Sequence, residues 1–413
     1  MNLNNLKIFL VGGAVRDELL GVPCTEQDWV VIGSSESEML TLGFRKVGKD
    51  FPVFIHPGTG EEYALARTER KTAKGYYGFK CDFSPNITLE EDLLRRDLTI
   101  NAMAKDLDGK IIDPFGGQKD LQNRVLRHVS AAFVEDPIRV LRVARFAAKL
   151  ANFGFKIAPE TIKLMCTIVD NNELDYLTPE RVWKEIEKSL VTNAPQEFFL
   201  VLRECKALAK IFLELDRLWG VPQNPKWHPE IDTGIHVMLA LQQAVKLSHD
   251  PKIRFAVLCH DLGKGLTKAE ILPSHYGHEQ RGVTLINNWC TKYKVPNSYK
   301  HLAVKVAAWH LHSHTALQLT PQTILKLFLA LDVFRKPNNL QDFLLACTAD
   351  NLGRKDQENN KYLQAEFLNK IFVEIRKITA KQFVEQGIVG KNLGDAIHSA
   401  QVKLIAKLKQ DLL

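Results

Sequence analysis

The segment Lys7–Ile32 constrains the fold of this chain more than any other stretch. An apolar run ends at Gly12-Gly13, a short amphipathic turn follows, and a second apolar run completes the segment. This order predicts a strand, a helix and a second strand, with a tight turn at the glycines. Because alternate residues of a strand point to the same face, we expect Glu26 and Asp28 to project together where the second strand begins.

Two neighbouring carboxylates repel each other and require a cation. Mg²⁺, a hard divalent ion that prefers oxygen ligands, suits Glu26 and Asp28. The paired glycines let main-chain N–H groups approach a phosphate at the start of a helix, where anions are favoured. An acid pair alone is usually a solvated surface, and a glycine pair alone is usually a turn. Their combination in this order predicts metal-assisted nucleotidyl transfer, with Glu26 and Asp28 as the catalytic residues.

Size and composition set the class of protein. A chain of 413 residues is long enough for two or more domains. It has no apolar run of about 18 residues, so we expect no membrane span. The seven cysteines are scattered and form no C-x-x-C pair, which indicates reduced thiols and a cytoplasmic protein. The net charge of +7 is compatible with a nucleic-acid partner.

Residues 1–135 mix strand and helix patterns. The stretch 68–83 is basic, aromatic and glycine-containing, which predicts a mobile loop, and 89–104 has the pattern of a helix. Strands are predicted at 7–11, 28–32, 44–47, 53–55 and 61–67.

Helical periodicity dominates from Asp136 onward. The helices predicted there begin with 136–150, 159–170, 179–191, 195–204 and 206–212. The Pro-rich segment 220–229 marks a boundary. The whole pattern predicts an α+β chain, with a mixed-sheet head followed by an all-α body and a second helical domain. Its four parts are a catalytic head (1–135), a helical neck and body (136–222), a histidine-rich helical domain (228–350) and a helical tail (351–413).

A second polar cluster begins at Asp136. Asp136, Arg139, Arg142 and Arg145 recur at intervals of three, which winds them along one flank of a helix and leaves the other flank apolar. Asp136 and Arg139 offer acceptor and donor edges to a nucleobase, and the other two arginines suit a triphosphate. The alternative is a solvated helix face with a few ion pairs. Because the sequence places no balancing acid beside each arginine, we favour nucleotide binding.

Six motifs follow one another in a fixed order over roughly residues 7–220. They are LVGGAVRDELLG, Glu26-Gln27-Asp28, RRDLTINA, Asp113–Gly117, EDPIRVLRVARF and TPERVWKE. In this order they resemble the class II tRNA nucleotidyltransferases, the CCA-adding enzymes of the DNA polymerase beta-like superfamily. The resemblance implies that Glu26 and Asp28 hold the catalytic Mg²⁺. Glu26 stands where Asp is frequent in that family, and its longer side chain keeps the ligand type while shifting the metal geometry slightly.

The resemblance also assigns contacts to ATP and CTP. It implies that Gly13, Arg16 and Arg96 contact the phosphates and the sugar of the nucleotide. It implies that Asp136 and Arg139 pair with the incoming base, so that protein replaces a nucleic-acid template.

Arg142 and Arg145 would hold triphosphate and base, and the TPERVWKE helix would support the selecting helix. The implied reaction is template-independent addition and repair of the 3′-terminal CCA of tRNA, with release of pyrophosphate. The implied partners are tRNA, ATP and CTP. We expect a monomer or a homodimer.

Ten of the thirteen histidines lie between residues 228 and 314. A lone histidine is usually a packing residue, but His260-Asp261 at the end of an apolar helical run is more specific. Imidazole and carboxylate ligands suit Ni, Mn, Fe or Zn better than Mg or Ca. This region resembles an HD-type metal-dependent phosphohydrolase domain, of the kind fused to CCA-adding enzymes in some bacteria.

The second resemblance implies a ligand set and an activity. His236, His260, Asp261 and Asp350 would bind Ni²⁺ or another transition metal, with His278 and His310 as accessory groups. The implied activities are phosphatase, 2′-nucleotidase and 2′,3′-cyclic phosphodiesterase. Leu311 follows His310 where the nearest relatives would carry Asp, which predicts weaker hydrolysis. The alternative is a helical tRNA-supporting domain with an idle site.

Two other functions fit the same motifs. A bacterial poly(A) polymerase shares the head motifs and can share the Asp136–Arg139 pair, although the histidine domain and the lack of a long basic tail favour CCA addition. A tRNA-binding protein with an inactive catalytic site or an inactive HD domain belongs to another class. The intact acids Glu26 and Asp28 argue against it.

Overall fold

A computed structural model describes residues 6–24, 27–47, 53–71 and 79–412. The chain forms two compact units. The first comprises Met1–Ser189 and Glu197–Ile211, and the second comprises Leu190–Gln196 and Phe212–Leu413. The boundaries of the four predicted parts stay a prediction.

The first unit contains a seven-stranded mixed sheet in its described part. The spatial order of the strands is β3-β4-β5-β2-β1-β8-β9, in which β2 and β5 are parallel and the other neighbours are antiparallel. Two further pairs, β6–β7 and β10–β11, lie outside this sheet. The strands are β1 (Lys7–Val11), β2 (Asp28–Ile32), β3 (Arg45–Val47), β4 (Val53–Ile55), β5 (Glu62–Leu65), β6 (Thr68–Lys71), β7 (Phe79–Asp82), β8 (Ala104–Lys105), β9 (Ile111–Ile112), β10 (Val125–Leu126) and β11 (Lys156–Ile157).

Apolar side chains cover both faces of the sheet, because neighbouring residues of each strand point in opposite directions. From β1, Ile8 joins one cluster with Met39 and Phe54, whereas Val11 joins another with Leu93. The central strands are therefore buried on both faces, and they hold the start of β2 in a fixed position beside the end of β1. The predicted mixed-sheet head and the α+β class are confirmed.

Helices surround the sheet and make up the rest of the first unit. The apolar flank predicted for the segment after Asp136 is confirmed, because Val140, Val143 and Ala144 are fully buried. The helices up to residue 211 are α1 (Gly13–Leu19), α2 (Glu36–Thr41), α3 (Leu89–Leu94), α4 (Gly117–Gln122), α5 (Ile138–Leu150), α6 (Pro159–Asp170), α7 (Pro179–Leu190), α8 (Pro195–Glu204) and α9 (Ala207–Ile211).

The prediction of one continuous helix over 89–104 is wrong. Helix α3 ends at Leu94, and a short 3₁₀ turn, Thr99–Asn101, precedes β8. The side chain of Asp97 accepts the N–H of Leu98 at 2.8 Å, and the N–H of Thr99 donates to Arg127 O at 2.9 Å. These bonds replace the helical ones, because an Asp side chain can satisfy nearby main-chain donors outside a helix.

Two smaller predictions also need correction. The stretch predicted as a mobile loop, 68–83, contributes strands β6 and β7, which pair with each other; residues 72–78 lie outside the described chain. The body after Asp136 is not entirely helical, because β11 pairs with β10 in parallel.

Helices are the regular elements of the second unit in its described residues, and one isolated β-bridge joins Pro222 and Asp232. Helix α11 packs on α12 and α16, and α14 packs on α12, α13 and α16. Arg254 is buried, and its Nη1 donates to the main-chain oxygens of Leu190 and Thr192 at 2.6 and 2.8 Å. The helices are α10 (Leu213–Asp216), α11 (Thr233–Leu247), α12 (Pro251–Cys259), α13 (His278–Lys292), α14 (Asn297–His314), α15 (Pro321–Leu331), α16 (Asn338–Leu352), α17 (Leu363–Ile375), α18 (Ala380–Val384) and α19 (Lys391–Leu412).

None of the helices in the described ranges combines the length and the apolar character needed to cross a lipid bilayer.

Candidate functional site

A cavity of about 560 Å³ in the first unit collects nearly all the predicted nucleotide-binding residues. Its walls carry ten Lys and Arg side chains but four Asp side chains, an excess of positive charge that suits a polyphosphate. The volume lies in the range of small-molecule sites. The predicted residues on its walls are Gly13, Arg16, Asp28, Arg96, Asp136, Arg139, Arg142 and Arg145.

Of the two predicted Mg²⁺ ligands, Asp28 lies in the part of the chain that the structure describes. It opens β2, opposite Val11 of β1 and Glu62 of β5, and its side chain is exposed on the cavity wall. A carboxylate on the wall of this cationic cavity fits Mg²⁺, which takes oxygen ligands and keeps several waters. Its predicted partner, Glu26, lies outside the described residues. The Mg²⁺ pair therefore stays a prediction.

The turn between β1 and α1 forms one wall of the cavity. Gly12 has φ +71°, and a Cβ atom there would lie 2.7 Å from Nη1 of Arg96. Glycine therefore permits both the turn and the close approach of the guanidinium. Arg16 is only 2% exposed and donates from Nη1 to Asn101 Oδ1 at 2.5 Å. Gly13, Arg16 and Arg96 thus lie together on the cavity wall, and their contacts with a nucleotide stay a prediction.

Asp136 and Arg139 are held in place by other protein groups. Asp136 precedes α5, where its Oδ1 accepts the N–H of Ile138 at 3.2 Å and its Oδ2 lies 3.1 Å from Nη2 of Arg181. The guanidinium of Arg139 donates to the main-chain oxygens of Ala132 and Arg95 at 2.9 and 2.5 Å. These contacts restrict the rotamers of both side chains, and such preorganisation lowers the cost of binding a ligand.

Arg142 and Arg145 each have an acidic partner, so the assumption that these arginines are unbalanced is wrong. Nε of Arg142 donates to Asp97 Oδ2 at 2.7 Å, and Nε of Arg145 donates to Glu185 Oε2 at 2.6 Å. Burial opposes ionisation of Asp97, but Arg142 and Asn101 hold the pKa of its carboxyl below the ordinary value. Both arginines are therefore oriented by ion pairs within the cavity wall.

Several wall residues were missed by sequence reasoning. The ring centroid of Phe146 lies 4.3, 5.2 and 5.8 Å from Cζ of Arg145, Arg16 and Arg142, so the ring contacts three guanidinium groups. Arg181 and Glu185, from the TPERVWKE motif, contact Asp136 and Arg145. These contacts support the predicted role of that helix, although the sequence did not identify the two residues that make them.

The second unit contains a buried histidine and carboxylate cluster, formed by all four predicted HD-domain ligands and both accessory residues. His236 Nε2 lies 3.1 Å from Asp350 Oδ1, and His260 Nε2 lies 3.6 Å from the same oxygen. The donor atoms of these three residues lie within 4.8 Å of one another. Helices α11 and α16 carry His236 and Asp350, and His260 follows α12 directly.

A second group of three adjoins the first. Asp261, His278 and His310 also place their donor atoms within 4.8 Å of one another. Asp261 connects the two groups, because its Oδ2 lies 3.2 Å from His260 Nε2 and its Oδ1 lies 3.5 Å from His278 Nε2. His278 and His310, predicted as accessory groups, thus stand as close to Asp261 as ligands of a shared cation would.

The chemistry of the cluster fits a cation. His260 Nε2 and both carboxylate oxygens of Asp261 are buried without a hydrogen-bond partner of good geometry, which is costly unless a cation satisfies them. Burial opposes protonation of His260, yet Asp261 and Asp350 raise the pKa of its imidazole to about 9. Burial lowers the pKa of His310 well below the ordinary value. Nitrogen and carboxylate donors together suit a transition metal.

The weaker hydrolysis expected from Leu311 stays a prediction, and the structure shows where the side chain lies. Leu311 is 38% exposed, whereas His310 is 2% exposed, so consecutive residues of α14 face different environments.

A lysine also contacts the cluster. Nζ of Lys264 lies 2.7 Å from Asp261 Oδ2 and donates to Gln223 Oε1 at 2.5 Å. Sequence reasoning missed Lys264 and Gln223, although Lys264 follows the His260-Asp261 pair by three residues.

Three family models match the chain. They are described as "Poly A polymerase head domain" (residues 8–127), "Probable RNA and SrmB- binding site of polymerase A" (residues 154–218) and "HD domain" (residues 233–332). The first covers the sheet and the turn between β1 and α1, but it ends before α5, which also lines the cavity. The third covers all the cluster residues except Asp350.

Curated relatives and solved structures extend these matches over nearly the whole chain. A Multifunctional CCA protein of Thioalkalivibrio sulfidiphilus is 56% identical over 406 residues, which cover 98% of this chain and 99% of the relative. A CCA-adding enzyme in its apo form II superposes with a TM-score of 0.66 at 21% identity, over 98% of this chain and 88% of that chain. A Thermotoga maritima CCA-adding enzyme complexed with tRNA gives a TM-score of 0.62 at 20% identity, over 99% and 92% of the two chains.

Proposed function

Because the chain belongs to the family of the Multifunctional CCA proteins, we propose that its first unit adds and repairs the 3′-terminal CCA of tRNA. The substrates are CTP and ATP, and the product besides tRNA is pyrophosphate. The observation that carries the proposal is the single cavity that joins Asp28, a cationic phosphate wall and the Asp136–Arg139 pair. Phosphate binding alone would suit many enzymes, whereas a preorganised base-reading pair beside it suits a polymerase without a template.

The reaction is an in-line displacement at phosphorus. The 3′ hydroxyl of the tRNA attacks the α-phosphorus, a new P–O bond forms, and the bond to the β-phosphate oxygen breaks to release pyrophosphate. Asp28, with Glu26, would hold Mg²⁺, which when bound activates the hydroxyl and neutralises charge on the leaving group. Arg16 and Arg96 bind and orient the phosphates, so most of the rate gain comes from positioning and charge neutralisation.

Nucleotide choice rests on Asp136 and Arg139. Asp136 accepts hydrogen bonds from a base, and Arg139 donates them, so together they match the mixed edges of cytosine and adenine. Arg142, Arg145 and the ring of Phe146 support the triphosphate and the base from the neighbouring turns of α5. The same residues therefore serve two nucleotides at one site.

A tRNA partner is consistent with the exposed lysines of the first unit. Lys184 and Lys188 lie on the exposed side of α7, and Lys188 also reaches the cavity wall. In the second unit, Lys403 and Lys407 are exposed on α19. Phosphate contacts of this kind weaken as the salt concentration rises.

Incubation of the protein with tRNA lacking its 3′ end tests the proposal. With CTP and ATP together, the expected product carries C, C and A and then stops. With ATP alone, we expect little extension of this tRNA. Long A tails without C incorporation would instead identify a poly(A) polymerase. No incorporation of either nucleotide would identify a tRNA-binding protein with an inactive site.

Replacing Asp136 by alanine is expected to relax nucleotide choice. A well-placed contact between a side chain and a base edge is worth about 1–3 kcal/mol, so we expect the preference for CTP and ATP over UTP and GTP to fall about tenfold to a hundredfold. The measurement is single-nucleotide incorporation with each of the four nucleotides.

Asp170→Ala is the matched control, since Asp170 is exposed at the end of α6. If Asp136→Ala kept the full preference at a normal rate, Asp136 would not read the base.

For the second unit, we propose a metal-dependent phosphohydrolase that acts on phosphomonoesters and on 2′,3′-cyclic phosphates. The observation that favours it is the set of buried donor atoms on His260 and Asp261 that lack well-aligned partners. His236, His260, Asp261 and Asp350 would hold Ni²⁺ or another transition metal, with His278 and His310 beside them. Such a cation supplies a nucleophile by lowering the pKa of bound water. Lys264 adds a positive charge beside Asp261 that suits a phosphate.

A further inference from the structure

The buried imidazoles of the cluster are oriented by two kinds of partner. Nδ1 of His260, of His278 and of His310 lies 2.6, 2.8 and 3.1 Å from the main-chain oxygens of Val257, His275 and Val306. Each main-chain oxygen fixes the ring and directs Nε2 into the cluster. Main-chain partners of this kind are insensitive to the identity of the neighbouring side chains.

His236 has a side-chain partner instead. Its Nδ1 lies 2.9 Å from Oε1 of Glu230, whose side chain is 2% exposed. The separation is that of a hydrogen bond, although the two groups are not aligned as one in this structure. The same oxygen lies 2.9 Å from Nδ1 of His228, and Oε2 accepts the N–H of Lys355 at 3.2 Å. Glu230 is therefore fixed between the loop before α11 and the segment after α16.

Asp350 also has a side-chain partner on its far side. Its Oδ1 faces His236 and His260, while its Oδ2 accepts a hydrogen bond from Nε2 of His314 at 2.7 Å. Nδ1 of His314 lies 3.0 Å from the hydroxyl of Tyr362, which lies 2.8 Å from Ser313 Oγ. A chain of hydrogen bonds thus orients the ligand carboxylate from behind.

We infer that Glu230 and His314 are positioning residues that set the affinity of the His236–His260–Asp350 group for a transition-metal cation. The inference rests on the cation centre proposed for the second unit. An outer carboxylate selects the tautomer of a ligand imidazole, turns its Nε2 lone pair toward the cation and raises its basicity. The Asp261–His278–His310 group, whose imidazoles are oriented by main-chain oxygens, depends much less on these two residues.

Titration of the metal-free, full-length protein with Co²⁺, followed by the visible absorption of the bound ion, tests the inference. Loss of an outer-shell partner lowers metal affinity about tenfold to a hundredfold. We expect this loss for Glu230→Gln and for His314→Leu. His314→Gln keeps an N–H donor near the position of Nε2 and is expected to recover most of the affinity.

Glu270→Gln is the matched control, because Glu270 is exposed in the same unit. CCA addition by the same preparations and thermal unfolding of the metal-free variants report on folding. Loss of Co²⁺ affinity with unchanged metal-free unfolding supports the inference. Unchanged Co²⁺ affinity and an unchanged spectrum in Glu230→Gln and His314→Leu would overturn it while leaving the cation centre intact. A wild-type protein that binds no Co²⁺ would overturn both.

Discussion

Replacement of Asp28 by alanine is expected to abolish the incorporation of both CTP and ATP, with a rate loss of at least about a thousandfold. Asp28 stands at the start of a strand whose two neighbours, β1 and β5, fix the position of its main chain on the cavity wall. The loss should affect both nucleotides equally, because the metal site acts on the phosphates and not on the base. Single-turnover extension of tRNA lacking its 3′ end measures it.

Asp108→Asn provides the control, since Asp108 is an exposed acid in the same unit. Hydrolysis by the second unit should be unchanged in Asp28→Ala, which separates loss of the site from loss of folding. Full incorporation by Asp28→Ala would show that the assignment of the metal site is wrong.

The second large effect is expected in the histidine cluster. His260→Ala should remove Ni²⁺-dependent hydrolysis of a 2′,3′-cyclic nucleotide, again by at least about a thousandfold. Nε2 of His260 lies within 3.6 Å of Asp261 and Asp350, so its loss removes a ligand that faces both carboxylates. The substitution also leaves a small buried cavity, and the unfolding transition of the variant must therefore be compared with that of the wild type.

His249→Ala is the matched histidine control, because His249 is exposed between α11 and α12. CCA addition should persist in both variants. If the wild-type protein showed no Ni²⁺-dependent turnover, or if His260→Ala hydrolysed as fast as wild type, the cluster would be an idle site within a tRNA-processing enzyme.

Regular elements were predictable where a local period decides them. The bounds of β1, β2 and α6 agree with those predicted, because a continuous apolar run marks each strand and a 3.6-residue apolar repeat runs through the helix. The helix predicted over 89–104 failed because its end is set by Asp97, whose carboxylate takes the N–H of Leu98 and also pairs with Arg142. Asp97 and Arg142, which form this pair, are 45 positions apart in the sequence, so a local pattern could not predict where the helix ends.

In the candidate sites, too, residues with a local sequence pattern were predictable, whereas their partners from distant segments were not. The arginines after Asp136 were predicted from their spacing, yet their partners Asp97 and Glu185 come from other segments and could not be read locally. The histidine-site residues were predicted through family resemblance. Glu230 and His314 were missed, because an acid in a Pro-rich loop and a histidine at a helix end carry no signal until the fold brings them against His236 and Asp350.

The buried Arg254 has a consequence for dividing this protein. Its two main-chain acceptors, Leu190 and Thr192, belong to the short segment that the second unit takes from the middle of the first unit's sequence. The chain therefore leaves one unit, contributes seven residues to the other, returns and leaves again. A single cut after residue 211 would leave Leu190 and Thr192 on one fragment and Arg254 on the other. The two units are therefore interleaved in the sequence, and we expect a truncation at residue 211 to deprive the second unit of the main-chain acceptors of Arg254.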